Sequence, residues 1–253
     1  MEYENLLSDI SEKYNEILGN NLVGIYVHGS IAFRCFNWDS SDIDFIVIID
    51  NPISEHTKLR LLQVLEDLTE QAPKKGFEMS VVLKKYSKNF LYPTPYELHF
   101  SNDWQLDKYL ENPSLLCNDE IRTDWDLAAH FTVILSVGVV LCGEPIAEVF
   151  GNVPKEHYID SIRKDIENAK EDVTTNPGYV ILNLCRVYAY IKEGVVLSKE
   201  KGGQWGLKNL PEKYHNLILT MMDSYVKGTA ISKDEALQIS FCEYMLELIF
   251  TYS

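Results

Sequence analysis

Two carboxylates and a Gly-Ser pair carry the first chemical signal in this sequence. An apolar run, Leu22 to Val27, reads as a strand ending at His28, and Gly29-Ser30 breaks it. A dozen residues on, Asp42-Ile43-Asp44 leads into a second apolar run, Phe45 to Ile49. Residues two apart on a strand share a face, so Asp42 and Asp44 project side by side. Carboxylates held that close repel each other unless a cation lies between them, and hard oxygen donors suit Mg²⁺. Asp42 and Asp44 also precede Ile46 and Ile48 on a strand apolar on both faces, where unpaired charge is costly. A metal site therefore explains the pair better than a solvated turn. The Gly29-Ser30 turn offers backbone N–H groups and a hydroxyl, which suit phosphate oxygens. A metal beside a phosphate cradle points to nucleotidyl transfer.

Several elements must position these groups. Leu6, Leu7, Ile10, Tyr14, Ile17 and Leu18 recur at helical spacing, so an amphipathic helix opens the chain. Ser54 is expected to cap a helix to about Gln71, with Leu59, Leu62, Leu65 and Leu68 inward. Phe77 to Leu83 reads as the next strand, with Phe77, Met79, Val81 and Leu83 on one face and Glu78, Ser80 and Val82 on the other. Taken alone, Glu78 is equally an exposed strand position or a third active-site carboxylate. Lys84 to Asp124 shows no clear periodicity. Asp124 or Asp126 is expected to cap a helix running to Leu141, and Asn152-Val153-Pro154 marks a domain boundary. The remainder reads as helices: Lys155 to about Val173, Tyr179 to Glu193, a short one after Ser198, Pro211 to about Lys227, and Ser232 to Tyr252. Gly202-Gly203 is read as a break, and Ser232-x-x-Glu235 as a capping box.

The Gly-Ser…Asp-x-Asp segment resembles the signature of the nucleotidyltransferases related to DNA polymerase beta, specifically the aminoglycoside adenylyltransferases acting at the 3″ or 9 position. That resemblance runs over nearly the whole chain, through Leu141-Cys142-Gly143-Glu144-Pro145-Ile146 and Asn183-Leu184-Cys185-Arg186. It implies that Asp42 and Asp44 bind Mg²⁺, that Gly29 and Ser30 contact the triphosphate of ATP, and that Glu78 is the general base, touching metal and substrate. Arg186 lies in the apolar helix Val180 to Ile191, where a free charge is unfavourable. Arg186 and Lys199 resemble the family's Leu-x-Arg…Pro-Lys segment, whose Arg and Lys contact ATP; Ser198 stands where those enzymes often have Pro. Glu97-Leu98-His99-Phe100…Trp104 resembles a family block whose Trp packs against the antibiotic, with one extra residue here. Trp205 resembles a second family Trp and is read as structural. Asn176 occupies the place where some members carry a substrate-binding carboxylate.

Acidic residues number 38 against 23 basic, leaving −15, with a pI near 4.8. Such a surface repels nucleic acid and attracts a cationic small substrate. Five scattered cysteines imply reduced thiols, and neither a signal peptide nor a membrane span is read, so a cytoplasmic monomer is expected. The expected architecture is an α/β nucleotidyltransferase domain with a small mixed sheet (1–153), followed by an α-helical bundle (154–253). ATP and drug are expected to meet in a cleft between the two. The function implied is O-adenylylation of an aminocyclitol, spectinomycin at its 9-hydroxyl. Rival readings are a dual streptomycin/spectinomycin enzyme, a protein or RNA nucleotidyltransferase, and a non-catalytic nucleotide sensor.

Overall fold

The computed structural model describes residues 2–101, 112, 122–227 and 234–251. They form two compact units, Met1–Pro154 and Lys155–Ser253.

In the first unit, helix α1 (Glu2–Leu18) buries Leu6, Leu7, Ile10, Tyr14 and Leu18. Strand β1 (Leu22–Val27) follows, then a single turn α2 (Gly29–Ala32) and strand β2 (Ile43–Ile49), which pairs antiparallel with β1. Ser54 caps α3 (Glu55–Leu68) by accepting from the Thr57 N–H at 3.2 Å. The inner face of α3 is formed by Leu61, Leu62, Val64, Leu65 and Leu68, while the predicted Leu59 is only half-buried at the core's margin. Strand β3 (Phe77–Leu83) runs parallel to β2, and α3 is the crossover that a parallel pair requires.

Between residues 84 and 124, where periodicity is unreadable, the chain forms α4 (Lys84–Lys88), β4 (Thr94–Tyr96), β5 (Leu98–Ser101) and β6 (Arg122–Asp124). Strands of three or four residues are too short to display a period. Helix α5 (Leu127–Val137) ends earlier than expected. Gly138 turns extended and β-branched Val139-Val140 continue as strand β7 (Val139–Gly143), which adds to β1. The short helix α6 (Ile146–Val149) closes the unit. The main sheet has the order β5-β3-β2-β1-β7, and β4 pairs with β6 separately.

The two sheet faces have different tasks. Ile43, Phe45, Val47 and Ile49 of β2 pack with α1 and α3. On the opposite face, Ile46, Ile48 and Val82 pack with Phe131 and Ile134 of α5. Asp44 and Glu78 alternate onto this second face, at the end of the strands that continues the apolar rows.

The second unit is helical. The segment predicted as one helix from Lys155 to Val173 is two, α7 (Lys155–Lys164) and α8 (Ala169–Asp172). Helix α9 (Pro177–Glu193) is the central rod, buried along most of its length, started by Pro177 and ended by Gly194 at φ 70°. Ser198 caps α10 (Lys199–Asn209), which runs unbroken through Gly202-Gly203. Those glycines are spacers: a Cβ on Gly202 would stand 2.8 Å from the Arg186 backbone N, and one on Gly203 2.8 Å from the Met222 side chain. Helices α11 (His215–Lys227) and α12 (Glu235–Thr251) complete the bundle. Asp234 caps α12, accepting from the Leu237 N–H at 3.1 Å; Ser232 of the expected capping box lies outside the described residues. No described helix is long and apolar enough to cross a membrane, and no disulfide joins the described cysteines.

Candidate active site

The parallel register of β2 and β3 sets Asp44 directly beside Glu78. Asp42, two residues before Asp44, reaches the same face. One oxygen from each of Asp42, Asp44 and Glu78 lies within 4.8 Å of the others. Burial, then the charges of Asp42 and Glu78, push the Asp44 carboxyl well above the ordinary carboxylate range. Burial raises Glu78 as well, assisted by Asp126 and Asp42 and opposed by His130. Such a cluster cannot hold three full negative charges without a cation, and an all-carboxylate donor set fits Mg²⁺.

Gly29 sits against this cluster at φ +56°. A Cβ there would fall inside the Asp44 carboxyl group. The His28 N–H donates to the Asp44 carbonyl at 3.0 Å, which locks the turn onto β2. Ser30 Oγ is buried and, among the described residues, has no hydrogen-bond partner. A buried hydroxyl without a partner is costly and marks a place where a ligand oxygen belongs. Gly29→Ala is therefore expected to displace Asp44 and lower turnover roughly a hundredfold or more, the scale of a 1 Å misplacement. Steady-state rates beside a Mg²⁺ titration of the melting temperature check it, since the variant is expected to lose both.

Sequence reasoning missed His130 and Asp126. Both lie on α5 or at its start, four residues apart and so on one helical face, and that spacing was the available signal. His130 Nε2 stands 3.0 Å from Asp126 Oδ2 and 3.8 Å from Glu78 Oε1. Burial alone would lower the imidazole, but Asp126 and Glu78 outweigh it and raise His130 to about 10. His130 is thus a cation set against Glu78. Its ring packs 4.6 Å from that of His28, which burial and the His130 charge keep neutral. Ser80 Oγ and His99 Nδ1 share a hydrogen bond of 2.8 Å beyond Glu78 on the same face. Glu97 has a structural task instead, accepting from the Ile53 N–H at 3.4 Å and facing buried Lys58 at 3.8 Å.

In the helical unit, Arg186 and Lys199 share one frame. Arg186 Nε donates to Asn183 Oδ1 at 2.5 Å, and its Nη2 stands 3.8 Å from Asp165 Oδ2. Burial works against the charge, but Asp165 together with Tyr179, Tyr158 and Tyr225 outweighs it and raises the guanidinium further. Lys199 Nζ lies 4.3 Å from the centroid of the Tyr179 ring, whose hydroxyl donates to Asp165 Oδ1 at 3.0 Å. Asn176 is exposed at the start of α9 and caps nothing with its side chain. Trp205 packs edge-on against Tyr188 at 5.7 Å under Lys192, a packing role. Trp104 lies outside the described residues. The described residues thus bring Asp42, Asp44, Glu78, Gly29 and Ser30 together in one unit, and Arg186 with Lys199 in the other.

The family described as Polymerase beta, Nucleotidyltransferase matches residues 12–92, and the one described as Aminoglycoside adenylyltransferase, C-terminal domain matches residues 148–247. An aminoglycoside (3″)(9) adenylyltransferase of Rhizobium radiobacter is 25% identical over 236 residues, covering 89% of this chain and 84% of its own length. A spectinomycin 9-adenylyltransferase of Staphylococcus aureus is 22% identical over 217 residues, covering 84% and 80%. The crystal structure of a spectinomycin adenyltransferase of Enterococcus faecalis, solved with ATP and spectinomycin, superposes with a TM-score of 0.80 at 19% identity, over 98% of this chain and 99% of that one. The expected architecture, a mixed-sheet nucleotidyltransferase fold followed by a helical region, is the one observed. Residues 12–92 thus match a polymerase-beta nucleotidyltransferase domain and residues 148–247 an aminoglycoside adenylyltransferase C-terminal domain, and the chain is a nucleotidyltransferase enzyme.

Proposed function

We propose that this enzyme transfers the adenylyl group of ATP to a hydroxyl of a cationic aminocyclitol antibiotic, spectinomycin at its 9-hydroxyl, and thereby confers resistance. The observation that carries the reading is the carboxylate triplet Asp42, Asp44 and Glu78 beside the buried Ser30 hydroxyl, which has no partner among the described residues. Residues 1–153 supply the catalytic carboxylates, and residues 154–253 supply cations for the nucleotide.

Asp42 and Asp44, with Glu78, would hold Mg²⁺. When bound, that ion neutralises charge on the phosphate oxygens and polarises the phosphorus under attack. Ser30 Oγ and the Gly29 backbone hold triphosphate oxygens. Arg186 and Lys199 bind phosphate charge, the guanidinium as a fork and the ammonium as a point charge. Glu78 accepts the proton of the drug hydroxyl as that oxygen bonds to the α-phosphorus and the bond to pyrophosphate breaks. Trp104 supplies an apolar wall for the drug, and the net charge of −15 favours a polycationic substrate over a nucleic acid.

Spectinomycin is preferred over streptomycin because the stretch before α9, residues 166–178, has no Trp and offers Asn176 in place of a carboxylate. An aromatic wall and the carboxylate at position 176 are both missing for the larger drug, while Asp172 stays in the stretch as a cation partner. Pyrophosphate release measured with each antibiotic at equal concentration is expected to favour spectinomycin by roughly tenfold or more. Comparable rates would overturn the specificity; no release with either drug would overturn the substrate class.

A further inference from the structure

We propose that Asn183, backed by Asp165, is a positioning residue that presets the Arg186 guanidinium for the triphosphate. The inference rests on the reading of Arg186 as a phosphate ligand. Asn183 is 1% exposed on α9, between buried Leu182 and Leu184. A buried amide there is costly unless both of its polar atoms are used. Both are. Arg186 Nε donates to Asn183 Oδ1 at 2.5 Å, and Asn183 Nδ2 donates to Asp165 Oδ2 at 2.8 Å. Only one amide orientation satisfies this chain, since a guanidinium only donates and a carboxylate only accepts. The amide is therefore fixed from both sides.

The arrangement of Asp165 shows what the chain is for. Its oxygens accept from two neutral donors, Oδ1 from the Tyr179 hydroxyl at 3.0 Å and Oδ2 from Asn183. At 3.8 Å from Nη2 it compensates the Arg186 charge without forming the bidentate pair that would occupy the fork. Arg186 is thus held at Nε, while among the described residues neither Nη makes a hydrogen bond to protein. Those Nη groups are the pair of donors that grip two oxygens of a phosphate. Tyr179 extends the same frame to the second cation, because Lys199 Nζ lies over its ring.

Asn183→Leu keeps the branched shape and the number of side-chain heavy atoms, suits the apolar helix and releases Arg186. In the full-length enzyme the KM for ATP is expected to rise about tenfold, the worth of holding one rotamer-rich side chain still. kcat is expected to change little, and the melting temperature is not expected to fall. The same substitution in an Arg186→Ala background is expected to add little further, because its main effect passes through the guanidinium. An unchanged KM for ATP in Asn183→Leu overturns the inference, and so does an equal added loss in the Arg186→Ala background, which marks a general structural role. If Arg186→Ala itself leaves the KM for ATP unaltered, the phosphate-ligand reading fails, and that failure is visible separately. Should Asn183→Leu not fold, Asp165→Asn carries the same test from the more exposed end, with the same expected split between KM and kcat.

Discussion

Asp44→Asn is expected to abolish adenylyl transfer, by roughly three orders of magnitude or more, while making the magnesium-free protein more stable. The two effects have one cause. Asp44 is 7% exposed, and burial and the neighbouring carboxylates raise it well above the usual range. Below the unfolded carboxylate's pKa both states are protonated and the group contributes nothing. As pH rises past that value the unfolded chain ionises and the folded one does not, so stability is lost, with the full penalty reached above the folded pKa. Metal-free wild-type protein is therefore expected to melt progressively lower as pH rises through the weakly acidic range. Asp44→Asn removes that slope. It also removes the seat of the cation, whose charge stabilisation amounts to several kcal/mol of the barrier. Mg²⁺ is expected to raise the melting temperature of the wild type and to leave that of Asp44→Asn unmoved. Asp42→Asn is expected to lose activity similarly. Turnover close to wild type in either variant would sink the assignment.

What the chain discloses before folding, and what it conceals, follows from the range of the interactions. β1 and β3 were legible to the residue, because each is an apolar run bounded by turn signals. Asp42 and Asp44 were legible because strand periodicity acts over two residues. Glu78 was ambiguous because its meaning depends on the register with β2, a pairing across a helical crossover that no local pattern records. His130 was missed for the same reason: Asp126 is near in sequence, but Glu78 is supplied by another strand. Gly202-Gly203 was misread as a break because glycine in isolation disfavours helix, whereas here close contact of α10 with α9 requires the absence of a side chain. The strand after Gly138 was read as helix because the apolar segment before it is helical and the β-sheet edge it joins lies far back in the chain. Asn183 gave no signal at all, being one polar residue within an apolar helix, and only the positions of Arg186 and Asp165 give it a role.

Glu78→Gln is expected to lower kcat by roughly two to four orders of magnitude, the range for removing a positioned general base. Gln keeps the shape and the neutral hydrogen bonding of the side chain but cannot accept the proton of the drug hydroxyl. Because burial and nearby carboxylates raise Glu78 while His130 opposes them, the wild-type rate is expected to fall as pH drops through the raised pKa of the base. The residual rate of Glu78→Gln is expected to have lost this acid limb. His130 remains paired with Asp126 at 3.0 Å in the variant, so the face of α5 keeps its main ion pair and the fold is expected to persist. Calorimetry with Mg²⁺ and ATP separates the two tasks of the carboxylate. Retained nucleotide binding with lost turnover identifies Glu78 as the base. Loss of nucleotide binding in proportion to turnover would instead make Glu78 chiefly a metal ligand, and the proton of the substrate hydroxyl would need another acceptor on this face.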